Sequence, residues 1–125
     1  MSQGEQKTDQ VYELRRYFRS TSMGGVSKTM VFMVKNNNEV IEIMPRFSYR
    51  SRSRRHGEDV WYLSDGKYVV VDISRSNNVA KPYEVVVWCY EVQNGTAVRR
   101  EVATFHENSI EDALAIVRMK LVYQC

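Results

Sequence analysis

Apolar residues come in short runs broken by turn-forming clusters, and most of the runs read as strands. "KTMVFMVK" (28–35) and "EVIEIMPRFSY" (39–49) flank the triplet Asn36-Asn37-Asn38, so they predict a hairpin. Pro45 cannot donate to a strand ladder, which places the second of these strands at an edge or bulges it there. "DVWYL" (59–63) and "KYVVVDIS" (67–74) flank Ser64-Asp65-Gly66, and Asp-Gly is a strong signal for a second hairpin. "YEVVVWCYEV" (83–92) and "AVRREVATF" (97–105) flank Asn94-Gly95, which predicts a third. Three hairpins in series make an antiparallel meander.

The two ends read as helices. In "TDQVYELRRYFRS" (8–20) Val11, Leu14 and Phe18 recur at helical spacing, with Thr8 as N-cap and Asp9 in the first turn. The glycines of "SMGG" then stop the helix, since they tolerate a left-handed C-cap. "SIEDALAIVRMKLVYQC" (109–125) starts on a capping pair, Ser109 and Asp112, and carries Ile110, Ala113, Leu114, Val117 and Leu121 on one stripe. That stripe suits packing on the sheet or on a second copy of the chain. The expected fold class is α+β, an antiparallel sheet meander flanked by an N-terminal and a C-terminal helix. The flanking helices are not in the usual places for an OB barrel. Residues 1–7 are read as a flexible tail and 8–125 as one domain.

One feature of the strands does not suit a sheet with one wet face. "MVFMV" and "VVVWCY" are apolar at successive positions, where a half-solvated strand alternates. Either protein covers both faces, or one face forms an apolar cleft.

Composition changes the picture at one place. The 125-residue chain has a formal net charge of +3, but Arg46, Arg50, Arg52, Arg54 and Arg55 contribute +5, leaving −2 for the rest. The basicity is a local patch, which attracts polyanions whatever the total charge. Cys89 and Cys125 form no zinc spacing and no disulfide framework, and are read as a buried thiol and a terminal thiol. No apolar run approaches membrane-spanning length, and the polar N-terminus has no signal-peptide core, which favours the cytoplasm.

Signatures of enzymes are missing: there is no G-x-S-x-G, H-E-x-x-H or P-loop, and only two histidines, His56 and His106. Glu58 and Asp59 beside His56 read most simply as the end of the basic run. A nuclease using His56 with the arginines is the catalytic alternative. No catalytic residue, metal ligand or cofactor is assigned.

The segment 46–62 joins the two chemistries that single-stranded nucleic acid needs. Arg46, Arg50, Arg52, Arg54 and Arg55, with His56, are phosphate-binding candidates, and Phe47, Tyr49, Trp61 and Tyr62 are base-stacking candidates. Each has a plainer reading. The Arg/Ser run also suits a solvated loop, and Phe47 and Tyr49 also suit the core. Trp61 and Tyr62 are adjacent in a strand, so one faces the core and the other the ligand surface. Helix-turn-helix order and an RNA-recognition element are both missing.

In layout the "YELRRYF" segment, "GGVSKTMVFMV", the basic–aromatic "YRSRSRRHGEDVWYL" and the terminal amphipathic helix resemble the ThermoDBP proteins. These are archaeal single-stranded DNA-binding proteins without an OB fold. The resemblance implies a helix-backed antiparallel sheet, a cleft with an apolar floor and a basic rim, a role in replication and repair, and dimerisation through a C-terminal helical extension. The expected activity is non-catalytic binding of single-stranded DNA with little sequence preference. The alternatives are RNA as the ligand, or an acidic protein partner gripped by 46–56.

Overall fold

The computed structural model describes residues 10–19, 28–50, 56–76 and 80–125. The chain forms β1 (Tyr12–Arg19), β2 (Lys28–Val34), β3 (Val40–Ile43), β4 (Phe47–Arg50), β5 (His56–Leu63), β6 (Gly66–Arg75), β7 (Tyr83–Gln93), β8 (Thr96–Glu107) and α1 (Ile110–Met119), then a 3₁₀ turn, Leu121–Gln124. The strands make two antiparallel sheets, one of five strands in the order β3-β2-β6-β7-β8 and one of three in the order β1-β5-β4. Neither sheet closes into a barrel.

The five-stranded sheet is covered on both faces. On one face, Phe32, Val69, Val71, Ile73, Val85 and Val87 pack against Ala113 and Val117 of α1 and Leu121 and Val122 of the 3₁₀ turn. On the other face, Val31, Tyr68, Val70, Tyr90 and Val92 pack against Leu14, Trp61 and Leu63 of the smaller sheet. Successive residues of β6 therefore go to opposite cores. This accounts for the strands without alternation, and it spends the sheet faces on packing rather than on an open apolar cleft.

The N-terminal segment is a strand, not the expected helix. In extended backbone Leu14 points to the inner face while Glu13 and Arg15 point out, and β1 pairs with β5 along its whole length, Leu14 opposite Trp61. Val11, which anchored the helical spacing, is exposed. The spacing Val11–Leu14–Phe18 was coincident with a tyrosine- and arginine-rich alternation, and pairing with β5 decided between them. Thr8, Asp9 and "SMGG" lie outside the described residues, as does the 1–7 tail.

Of the three hairpins, two form. In the first, Lys35 N–H donates to Glu39 O (2.8 Å), and Asn38 sits at φ 63°, which asparagine tolerates. Its second strand is shorter than predicted. β3 stops at Ile43, the chain leaves the sheet around Pro45, and it resumes as β4 in the other sheet, where Arg46 N–H donates to Val60 O (2.9 Å). The third hairpin joins β7 to β8 with Gln93 opposite Thr96 and a two-residue turn, Asn94 at φ 53° and Gly95 at φ 79°. Positive φ at both positions gives the turn the twist of its strands.

The second expected hairpin is a crossover instead. β5 belongs to the three-stranded sheet and β6 to the five-stranded one. Gly66 takes φ 152°, and Tyr68 Oη donates to Ser64 O (2.7 Å), which fixes the step between layers. Asp65 Oδ1 accepts from Asn94 N–H (2.9 Å), tying this step to the β7–β8 turn. The Asp-Gly signal identified a chain reversal, but the apolar residues on either side had to face each other across two sheets. Leu63 and Tyr68 meet in the same core.

The C-terminal helix forms as expected. Ser109 caps it by accepting from Asp112 N–H (3.1 Å), and Glu111 and Asp112 favour the positive end of the helix dipole. Its apolar stripe is spent on the chain's own sheet. The cysteines, read as separate thiols, are brought together. Cys89 of β7 and Cys125 are disulfide-bonded with Cα atoms 5.6 Å apart, because the 3₁₀ turn folds back over the end of β7. Arg100 of β8 also donates to Gln124 O.

A Cβ on Gly66 would meet only the Tyr68 ring, 3.7 Å away, so the cost of Gly66→Ala is backbone strain. Urea denaturation is expected to show a loss of about 1–3 kcal/mol for this variant, with the fold retained.

Candidate nucleic-acid interface

The described parts of the basic–aromatic segment are β4 and β5, paired antiparallel in the three-stranded sheet. Register assigns the positions on this sheet. Leu14, Trp61 and Leu63 face inward, so Glu13, Arg15, Tyr62, Val60 and Glu58 face outward. The ladder sets Arg15 beside Val60 and Val60 beside the Phe47 position, and Glu58 beside both the Tyr17 and Tyr49 positions. The Tyr17, Phe47 and Tyr49 positions thus adjoin outward-facing residues of β5, whereas Tyr12 is opposite inward-facing Leu63 and packs on the inner core. Helix α1 packs on the far side of the five-stranded sheet and does not cover this face.

The ten candidate residues separate as follows. Arg46 is exposed at the start of β4. Phe47, Tyr49 and Arg50 are strand positions of β4, and His56 begins β5 opposite Arg19. Arg52, Arg54 and Arg55 lie outside the described residues. Tyr62 is 43% exposed on the outer face. Trp61 is the correction. It is 1% exposed, and its Nε1–H donates to Ile43 O (2.9 Å), so it is a core residue that also ties the two sheets together. Adjacency in a strand required one ring in and one out, and only the packing of the second sheet settled which.

The outer face carries both signs of charge. Arg15 donates to Glu13 (3.0 Å) and to Glu58 (2.7 Å). The hydrogen bonds to Glu13 and then to Glu58 raise its pKa above the ordinary arginine value, so it stays charged. With two carboxylates holding it, Arg15 is a neutralised cation rather than a free phosphate ligand.

Sequence reasoning missed a polar seam between the sheets. Arg16, inward-facing on β1, donates to Asp72 Oδ1 (3.3 Å) and to Tyr90 Oη (3.1 Å), and Thr29 donates to the same Asp72 oxygen (2.7 Å). Burial opposes the charge on Arg16, but the Tyr90 hydrogen bond and the attraction of Asp72 outweigh it and raise the pKa. On the open side of the seam Arg99 donates to the same Tyr90 oxygen (3.4 Å) and lies over the Trp88 ring, 5.0 Å from its centroid. Trp88 Nε1 and Asp59 Oδ1 are buried and have no hydrogen-bond partner among the described residues. The adjacent pair Arg15-Arg16 was the available signal. Read as a strand, it sends one guanidinium out and one in.

Among the described residues no group of three or more His, Cys, Asp or Glu is placed to hold a metal ion, and no helix is long and apolar enough to cross a membrane. Comparison with known proteins finds no matching family model, no similar curated protein and no similar solved structure.

The two neighbouring rings should behave differently when removed. Trp61→Ala is expected to cost about 3–5 kcal/mol in chemical denaturation, as a large buried side chain does. Tyr62→Ala, on the exposed face, should stay within about 0.5 kcal/mol of the parent.

Proposed function

We propose that the protein binds single-stranded DNA, without catalysis and with little sequence preference, on the outer face of the three-stranded sheet and the 46–56 hairpin. The observation that carries this reading is the placement of the basic segment. Its described parts, Phe47–Arg50 and His56–Leu63, are the arms of a hairpin, with exposed Arg46 at the base and exposed Tyr62 on the outer side of β5. Arginines at the hairpin take phosphates, and aromatic rings on a solvent-facing sheet stack bases whatever their identity. The proposed site differs from the cleft that the resemblance implies. Both faces of the large sheet are occupied, so the stacking surface is a sheet face and not an apolar cleft, and Trp61 is not part of it. The ThermoDBP resemblance, an archaeal role in replication and repair, a cytoplasmic setting and a homodimer through the C-terminal segment go with this reading as proposals. Since the buried stripe of α1 is spent internally, such a dimer would use the exposed Met119 and Tyr123.

Fluorescence titration with poly-dT, poly-U and a duplex at 50 and 200 mM salt tests the reading. Single strands should bind more tightly than the duplex. With about four phosphates neutralised, poly-dT affinity should fall about 50-fold between the two salt concentrations. Tighter poly-U binding would assign RNA as the ligand, and equal binding to duplex would overturn single-strand recognition. Tyr62→Ala should weaken binding by about 1–3 kcal/mol, the worth of one stacked base.

A further inference from the structure

The strongest feature outside the proposed interface is at the end of the five-stranded sheet where β6 begins and β7 ends. There the β2–β3 turn, the start of β6, the end of β7 and the 3₁₀ turn enclose a cleft of about 540 Å³. Lys35, Asn36, Asn38 and Lys67 line one side, and Val122, Tyr123 and Cys125 line the other. The second wall is fastened in three ways: by burial of Leu121 and Val122, by the hydrogen bond from Arg100 to Gln124 O, and by the Cys89–Cys125 disulfide.

We infer that the Cys89–Cys125 disulfide is a reversible redox clasp that holds the Tyr123–Cys125 wall of this cleft closed, and that a dithiol reductant opens it. The two sulfurs differ in access. Cys89 is in the core face of β7 and 8% exposed, whereas Cys125 is half-buried at the cleft wall. A thiolate of the reductant therefore attacks Cys125 Sγ and expels the Cys89 thiolate, which takes a proton. The second thiol of the reductant then attacks the reductant's own sulfur in the mixed disulfide. This frees Cys125 and leaves the reductant as a cyclic disulfide, a balanced transfer of two electrons and two protons.

After reduction Val122 still anchors the start of the turn. Without the disulfide, residues 123–125 are held by the backbone bonds of the short 3₁₀ turn, Cys125 N–H to Val122 O (3.3 Å) among them, and by the Arg100 contact, so they are the part that opens. Opening stays local because α1 has its own cap and its own buried residues, Ala113 and Val117. In a reducing compartment such a bond is transient and sensing rather than permanent.

The test uses the full chain, oxidised with diamide or reduced with dithiothreitol, and combines thiol counting with hydrogen exchange read by mass spectrometry. The oxidised protein should show no free thiol, even after unfolding, and the reduced protein two. In the folded reduced state Cys125 should alkylate at least about tenfold faster than Cys89, and amides of 123–125 should exchange at least about tenfold faster than when oxidised, with β6 and β7 amides unchanged. Cys125→Ser should show the fast exchange under both conditions. Two free thiols after diamide treatment would overturn the clasp, and so would identical exchange at 123–125 in the two redox states.

Discussion

Burial of the five-stranded sheet on both faces is the constraint on which the remaining structure depends. β6 and β7 send valines to both sides, and an antiparallel sheet built from such strands cannot leave either face in water without exposing a broad apolar surface. One helix and its following turn cover one face. The described residues hold no second α-helix for the other, and a second sheet does that work. This is why β1, β4 and β5 exist as a separate layer, and why the chain crosses between layers around Pro45 and at Asp65-Gly66 rather than continuing as a meander.

The second layer brings a cost and a use. Its inner face meets the large sheet through Leu14, Trp61 and Leu63, and beyond these apolar contacts it lays a guanidinium, Arg16, into the seam. A charge there is tolerable only with partners. Asp72, Thr29 and Tyr90 supply a hydrogen-bonded set that comes from three different strands of the large sheet. These directional bonds fix how the layers sit on each other, where valine packing alone would permit sliding. The use is on the other side. A three-stranded layer whose inner face satisfies the core leaves Glu13, Arg15 and Tyr62 of its outer face exposed, although Val60 on the same face is buried, and β4 and β5 of the basic segment belong to that layer.

Charge on that outer face is divided by neighbourhood. Arg15 is held by Glu13 and Glu58, so it shapes the surface without adding free positive potential, while the hairpin arginines are concentrated in a segment with no acid from Arg46 to His56. The proposed binding surface and the proposed redox clasp are therefore separate parts of the molecule. One is on the outer layer. The other is at the end of the sheet, where the 3₁₀ turn folds back on β7.

Much of the local structure was legible in the chain. The Ser109 cap and the apolar stripe of α1, the Asn94-Gly95 turn, the edge or bulge at Pro45 and the concentration of arginines in 46–55 all rest on local chemistry: a side chain bonding its neighbour's amide, a glycine accepting positive φ, a proline lacking a donor. Continuous apolar runs likewise announced that the sheet was either covered on both faces or opened as an apolar cleft, without deciding between them. Tertiary structure decided what local spacing left ambiguous. Val11, Leu14 and Phe18 suit a helix as well as a strand until β5 offers a ladder to pair with. Asp65-Gly66 marks a reversal equally well within a sheet or between sheets. Trp61 and Tyr62 exchange roles with a single-residue shift of register, and Cys89 and Cys125 acquire a partner only when the terminal turn folds back. In each case the energy that selects the outcome comes from residues far away in sequence, and a local pattern does not contain it.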